Sequence, residues 1–210
     1  MIKIHDIVHS VLLSDEEALS AISNGYMNLS QYAWKIQKEV ESKTKKEVGI
    51  PGIVVALSRL AKDIGNKNPL IQEVEIKNIT TKTPLSEIVY SKTSESIVKL
   101  SKVYDKVKTG TDDFFTMTLS TNEITVICSD RIKIEIEKSL KEKPIMVVKN
   151  LASIGLSLDP KYYPMPNITF SLIRRIAQKR IPLAETITTR TEIIFVFEQK
   201  YLASMVELFV

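Results

Sequence analysis

The middle and final thirds of the sequence repeat one another, and this repeat constrains the fold more than any other feature. Displacing the chain by 69 positions places Asn122–Val126 over Thr191–Phe195 and Leu140 over Phe209. Few residues are identical, but the order of the predicted elements and their inward-facing apolar positions repeat together. The sequence therefore predicts two β-α-β-β-α units with a shared strand between them.

The first unit combines strand-like and helix-like patterns. β-branched runs at Val74–Thr81 and Ile88–Tyr90 predict strands, and alternation over Phe115–Leu119 and Ile124–Cys128 predicts a hairpin. Apolar residues at helical spacing predict one helix on Ile97, Leu100, Val103, Tyr104 and Val107, and a second on Ile132, Ile136 and Leu140.

The second unit follows the same plan. It is predicted to contain a strand over Pro144–Leu158 broken at Lys149–Asn150, a loop over Asp159–Pro166, a helix from Asn167, a hairpin of Leu183–Thr188 with Ile193–Phe197, and a closing helix over Tyr201–Phe209. Apolar edge strands such as Ile193–Phe197 would pair with another chain, so we expect a homo-oligomer.

The region before the repeat is helical by pattern, because its apolar residues recur at helical spacing and no strand-like stretch interrupts them. Ser14 predicts the cap of one helix, Asn28 or Ser30 that of the next, and Pro51 the first turn of another. Glycine, asparagine and proline make Gly65–Pro69 a predicted linker. The expected domains are residues 1–66, 70–148 and 149–210.

Composition limits the function. The single cysteine, Cys128, leaves no disulfide framework and suits a reducing compartment, so we expect a cytoplasmic protein. No apolar run approaches the length of a membrane span, so no membrane association is expected. The only histidines are His5 and His9, no glycine-rich phosphate loop is present, and no cofactor or metal site is predicted. A non-catalytic protein is therefore favoured over a small enzyme.

The final third resembles the ACT module that ends aspartokinases. The resemblance lies in Pro166-Asn167-Ile168, the helix through Arg174–Ala177, Ile181-Pro182-Leu183, Thr189–Ile193, and Leu202–Leu208. It implies an α+β fold, with a helical N-terminal module followed by tandem ACT-like (ferredoxin-like βαββαβ) modules. The kinase domain itself has no counterpart in this chain.

The resemblance also implies regulation by a small effector such as an amino acid. The expected effector groove combines the end of one strand, the start of the following helix and a facing strand: Ser157, Leu158, Pro166, Asn167, Ile168, Ile181 and Leu183. Two departures weaken this expectation. Asn167 replaces a glycine that often follows the proline, and Arg180–Leu183 replaces the family's Gly-Ile-Asn-Ile. We therefore predict weak effector binding or none.

The predicted function is that of a regulatory protein that acts through protein association. The alternative is a ligand-responsive transcription regulator that uses the N-terminal helices as a DNA-binding head. The net charge of +4 permits contact with nucleic acid, but the lysines are interleaved with glutamates. In addition, Ile50–Ile64 offers only Arg59, Lys62 and Ser58 to a DNA groove, so nucleic-acid binding is disfavoured.

Overall fold

The computed structural model describes residues 3–65, 70–106, 113–140 and 142–210, and the predicted linker Gly65–Pro69 lies outside them except for Gly65. The chain divides into two compact units, Met1–Glu73 and Val74–Val210, called here the helical unit and the sheet unit. No helix of the described part is both long and apolar enough to cross a membrane.

The helical unit contains four helices: α1 Ile4–Leu13, α2 Glu16–Ser23, α3 Leu29–Thr44 and α4 Ile50–Ile64. Asn28 caps α3 as predicted, because its side chain accepts the Gln31 N–H at 3.0 Å. The cap of α2 was predicted one residue early. Asp15, not Ser14, accepts the Ala18 N–H at 2.9 Å. Pro51 lies in the first turn of α4, where its missing N–H costs nothing.

The core of the helical unit comes from one apolar face of each helix. Its fully buried side chains are Val8, Leu12, Leu19, Ala33, Val40, Ile53 and Leu57. Tyr32, predicted to pack in this core, is buried and donates its hydroxyl to Asp15 Oδ2 at 3.3 Å. Trp34, one position away from the apolar stripe of α3, is exposed.

Within residues 74–106, 113–140 and 142–210 the sheet unit contains one six-stranded antiparallel sheet with four α-helices. Its elements are β1 Ile76–Ser91, α5 Ser94–Lys106, β2 Phe115–Leu119, β3 Glu123–Ser129, α6 Asp130–Ser139, β4 Met146–Leu158, α7 Ile168–Gln178, β5 Glu185–Thr188, β6 Glu192–Glu198 and α8 Leu202–Glu207. The strand order is β2-β3-β1-β4-β6-β5. The two strands predicted at Val74–Thr81 and Ile88–Tyr90 are one strand, because the ladder with β4 continues past the irregular register near Pro84.

Two strands of the sheet are shared between the predicted repeats. Residues 85–91 of β1, with α5, β2, β3, α6 and the start of β4, complete one βαββαβ module, called here the first module. Residues 151–158 of β4, with α7, β5, β6, α8 and residues 76–82 of β1, complete the second module. The boundary predicted between residues 148 and 149 falls inside β4, and a division there stays a prediction.

All four helices lie on one face of the sheet. Each module buries its strands against its own helices, Ile88, Val126 and Leu100 in the first module and Phe195, Ile154 and Leu172 in the second. A separate cluster of strand residues, Leu85, Ile127, Leu151 and Val196, lies on the opposite, helix-free face. Leu85 and Leu151 are cross-strand partners, so this cluster joins the two modules.

The structure corrects the predicted edge of the sheet. Ile193–Phe197 was expected to be an edge strand, but β6 pairs with β4 on one side and with β5 on the other. Periodicity identifies which side of a strand is buried, whereas its neighbours in the sheet depend on topology.

Candidate functional site

A cavity of about 330 Å³ opens in the second module, where β4 ends, α7 begins and the β5–β6 hairpin turns. Its wall combines apolar side chains with a few charged ones. The lining residues are Leu158, Asp159, Tyr162, Tyr163, Met165, Asn167, Ile168, Thr169, Phe170, Thr188, Thr189, Arg190, Glu192 and Ile193. A concave, largely apolar wall with few polar groups is typical of small-ligand sites.

Three of the seven predicted effector residues line this cavity: Leu158, Asn167 and Ile168. Pro166 precedes Asn167 in the turn that leads into α7. Ser157 is adjacent to Leu158 in β4, but alternation along the strand turns its side chain to the helix-free face.

Ile181 and Leu183 lie elsewhere. They follow the C-terminal end of α7 and pack into the second module's core, with Ile181 buried. An 11-residue helix is about 16 Å long, so these side chains belong to the opposite end of α7 from the cavity. They also precede β5, which begins at Glu185, so they do not form a facing strand.

The first turn of α7 presents backbone donors at the cavity. Among the described residues, no acceptor meets the N–H groups of Ile168, Thr169 and Phe170. Asn167 precedes the helix with a left-handed φ of 66°, and its side chain makes no capping hydrogen bond. Its carbonyl instead accepts the Ser171 N–H at 2.9 Å and the Ser171 hydroxyl at 2.8 Å. Free N–H groups and the helix dipole favour an anion here.

The charged side chains of the wall carry both signs. Asp159 pairs with Lys77 at 2.8 Å and accepts the Lys161 N–H at 2.9 Å. The hydrogen bond from Lys77 is the main cause of the lowered pKa of Asp159, which keeps this carboxylate ionised. Arg190, at the tip of the β5–β6 hairpin, forms no ion pair with any described residue. The guanidinium is therefore available to a second anionic group.

Glu192 lines the cavity, but its side chain points to the helix-free face of the sheet, as does that of its cross-strand partner Ser157. A Cβ placed on Gly155 would lie 2.5 Å from Glu192 Oε1 and 2.6 Å from Thr80 Oγ1. Glycine at this position therefore lets the Glu192 carboxylate lie close to the β4 backbone, where Oε1 is 3.5 Å from the Thr80 hydroxyl. The backbone conformation of Gly155 is one that any residue can adopt. Glycine is needed here only because a Cβ would collide with the Glu192 and Thr80 side chains.

Sequence reasoning missed the aromatic and hairpin residues of the wall. Tyr162, Tyr163 and Phe170 flank the helix start, and Arg190 comes from a segment 23 residues beyond Asn167. Tyr162 also accepts the Glu75 N–H at 3.1 Å, which ties the loop to the start of β1. The cluster of tyrosine and proline at residues 159–166 was a usable signal, because a buried tyrosine hydroxyl usually finds a hydrogen-bond partner and Tyr162 is buried.

The cysteine and the two histidines join no metal-ligating group in the described part of the chain. Cys128 is fully buried, and burial raises the pKa of its thiol to about 12, so it is not ionised at neutral pH. His5 and His9 stack with ring centroids 6.5 Å apart, but within residues 3–65, 70–106, 113–140 and 142–210 no group of three metal-ligating side chains gathers.

Comparison with solved structures identifies the fold. The regulatory subunit of aspartate kinase from Thermus thermophilus, in a ligand-free form, matches with a TM-score of 0.51 and 8% identity over 64% of this chain and 95% of its own. The corresponding subunit from Thermus flavus matches with a TM-score of 0.52 and 7% identity, over 65% of this chain and 97% of its own. Aspartate kinase from Clostridium acetobutylicum matches with a TM-score of 0.52 and 13% identity. The match covers 66% of this chain and only 35% of that one.

These matches cover about the share of the chain that the sheet unit occupies. No protein-family model matches the sequence, and no curated protein matches it. At this low identity the structural match concerns the fold. This chain has the tandem ACT-type fold of the regulatory subunits of aspartate kinase.

Proposed function

We propose that this chain is a non-catalytic regulatory protein that binds a free amino acid in the cavity at the start of α7 and acts on other proteins. The observation that carries the proposal is the first turn of α7. Its N–H groups open into a cavity of ligand size beside Arg190, and neither they nor this guanidinium have a partner in the part of the chain that the structure describes. The likeness to aspartate kinase regulatory subunits supports a regulatory role.

The chemistry of the wall matches the two ends of an amino acid. The ligand carboxylate is placed at the N–H groups of Ile168–Phe170 with Arg190 opposite, since both favour an anion. The ammonium group is placed towards Asp159, a carboxylate of the wall. The side chain then packs on the apolar lining, to which Leu158 contributes.

The absence of catalysis is part of the proposal. It rests on the buried, protonated thiol of Cys128 and on the lining of the cavity, to which no histidine of the described residues contributes. The free thiol also fits a reducing compartment, so we place the protein in the cytoplasm.

A thermal-shift screen of the twenty amino acids tests the proposal. A ligand at a hundred times its dissociation constant stabilises the folded state by about 2.7 kcal/mol. For a unit of this size that corresponds to a rise in melting temperature of about 8 °C. We expect one chemical class of amino acid to give a shift of this order.

Two arginine variants locate the site. Arg190→Gln removes the guanidinium from the cavity wall and should reduce the shift, whereas Arg175→Gln, exposed near the far end of α7, should leave it unchanged. If no amino acid shifts the melting temperature, the proposed effector class is wrong. If the shift persists undiminished in Arg190→Gln, the site lies elsewhere in the chain.

A further inference from the structure

The cavity at the start of α7 has a floor that the fold itself requires. The floor is made of buried residues from the core of the second module: Leu158, Tyr162, Ile168 and Ile193. Two contacts hold the Tyr162 ring in place. Its hydroxyl accepts the Glu75 N–H at 3.1 Å, and Lys161 Nζ lies 5.0 Å from the ring centroid. The floor is therefore an apolar surface that includes one fixed aromatic ring.

The rim of the cavity has no such role in the fold. It consists of Tyr163, Met165 and Phe170, which are 70%, 39% and 36% exposed. None of the three belongs to a hydrophobic cluster in the part of the chain that the structure describes. Single exposed apolar side chains are ordinary, whereas several around one cavity are typical of a binding surface. The rim therefore indicates that an apolar group of the ligand packs there.

The loop that carries most of the rim is longer than the fold needs. In the first module the corresponding connection, from β1 to α5, takes only Lys92 and Thr93. There the Thr93 hydroxyl accepts the Ser96 N–H at 3.0 Å and the Ser96 hydroxyl accepts the Thr93 N–H at 2.9 Å, which closes the helix start. In the second module residues 159–167 make the connection, and the helix start has no side-chain cap. The two copies of the repeat therefore differ at the place where the second carries its aromatic residues.

We propose that the ligand of this cavity is an amino acid with an aromatic side chain. The inference rests on the proposed function, because it takes the ligand carboxylate to lie at the first turn of α7 and the ammonium group towards Asp159. The side chain then lies between the floor and the rim. An aromatic ring packs favourably against the rings of Tyr162, Tyr163 and Phe170, edge to face or offset. The thioether of Met165 adds a further favourable contact with a ring.

The charges of the wall disfavour a basic or an acidic side chain. Two carboxylates of the described residues line the cavity, but Glu192 points to the helix-free face. Asp159 already pairs with Lys77 at 2.8 Å and is the group placed at the ligand ammonium. A second ammonium group would lie against the apolar rim without a carboxylate, and burial of an unpaired charge is costly. An acidic side chain would compete with the ligand's own carboxylate for Arg190.

Isothermal titration calorimetry of the full chain tests the class of side chain. The ligands to compare are phenylalanine, tyrosine, tryptophan, leucine, lysine and cyclohexylalanine, which is similar in size to phenylalanine but has no aromatic ring. At least one of the three aromatic amino acids should bind about tenfold more tightly than cyclohexylalanine and leucine, because contacts between rings contribute beyond the apolar area that is buried. Lysine should bind more weakly than all of these.

Two tyrosine variants locate the contact. Tyr163→Leu keeps an apolar side chain at the rim but removes the ring, so it should weaken binding of the aromatic ligand about fivefold and leave that of cyclohexylalanine unchanged. Phe170→Leu should act in the same way. Tyr26→Leu is the matched control, because Tyr26 is 72% exposed but does not line the cavity. Circular dichroism melting without ligand establishes that each variant folds.

The outcomes separate this inference from the proposed function. If leucine, lysine or cyclohexylalanine binds as tightly as the aromatic amino acids, the aromatic class is wrong while amino-acid binding stands. If no amino acid binds, both the inference and the proposed function are wrong. Equal affinity for the aromatic ligand in Tyr163→Leu, Phe170→Leu and Tyr26→Leu would overturn the placement of the ligand ring at the rim.

Discussion

The shared strands make a quantitative prediction about how the sheet unit unfolds. Leu172 lies in α7, is fully buried and belongs to the core of the second module. Leu172→Ala removes buried methyl groups and leaves a cavity, which costs about 3 kcal/mol. For a unit of the size of Val74–Val210 this corresponds to a fall in melting temperature of about 10 °C.

The test of this variant is the rate of amide hydrogen exchange in the first module, which does not contain Leu172. Ile124 and Val126 lie in β3, which is paired on both sides, so their amides should exchange only when the sheet opens. The first module lacks a complete sheet without β4, and the second lacks one without β1. If the two modules therefore unfold together, Leu172→Ala should accelerate exchange at Ile124 and Val126 about 100-fold, as much as at the buried amides of β6.

Native-state hydrogen exchange with residue resolution distinguishes the outcomes. Val98→Ala, on the exposed side of α5, is the control and should change exchange in neither module. If Leu172→Ala accelerates exchange in β6 and leaves Ile124 and Val126 unchanged, the modules open independently. That result would refute cooperative unfolding and support a domain boundary near residue 149.

Three further predictions concern single features. The pKa of Glu87 is raised, first by burial on the helix-free face and then by Glu185, so the folded state holds this proton more tightly than the unfolded one. Stability should therefore fall as pH rises from the ordinary carboxyl pKa through the raised value. Glu87→Gln should remove that fall in urea titrations from about pH 4 to about pH 8. Gly155→Ala should cost about 1–3 kcal/mol by crowding Glu192, and Glu192→Ala in the same chain should recover part of the loss in urea unfolding. The full chain should bind DNA only feebly and lose that binding with salt, because basic and acidic residues balance in residues 3–65; specific retention of a promoter fragment in an anisotropy titration would contradict this.

Most of the fold could be predicted from local patterns. The helices, both hairpins and the break at Asn150, whose φ is 57°, follow from apolar periodicity and turn chemistry. The repeat predicted one shared strand, whereas the structure has two, β1 and β4. Sharing of β1 was not predictable because the segment near Pro84 resembles an interruption, and only pairing with β4 carries the strand through it.

The candidate site was harder to predict than the fold. Leu158, Asn167 and Ile168 adjoin one helix start in the sequence, and the structure places all three at the cavity. Ile181 and Leu183 were assigned to the same groove from a family pattern, but they lie beyond the C-terminal end of α7. Arg190 reaches the cavity only through the fold of the β5–β6 hairpin, and spacing in the sequence carries no such information.

β4 has a mechanical consequence, because this one strand belongs to both modules. Leu158 lines the cavity at its C-terminal end, and Met146 begins the strand in the first module. Thirteen extended residues span about 40 Å, and β1 is bonded to β4 in both modules. Sliding one module past the other along the strands would therefore break this ladder, so the two modules resist a load along the strand axis as one body. The left-handed Asn150 marks the place where the regular backbone of β4 is interrupted between them.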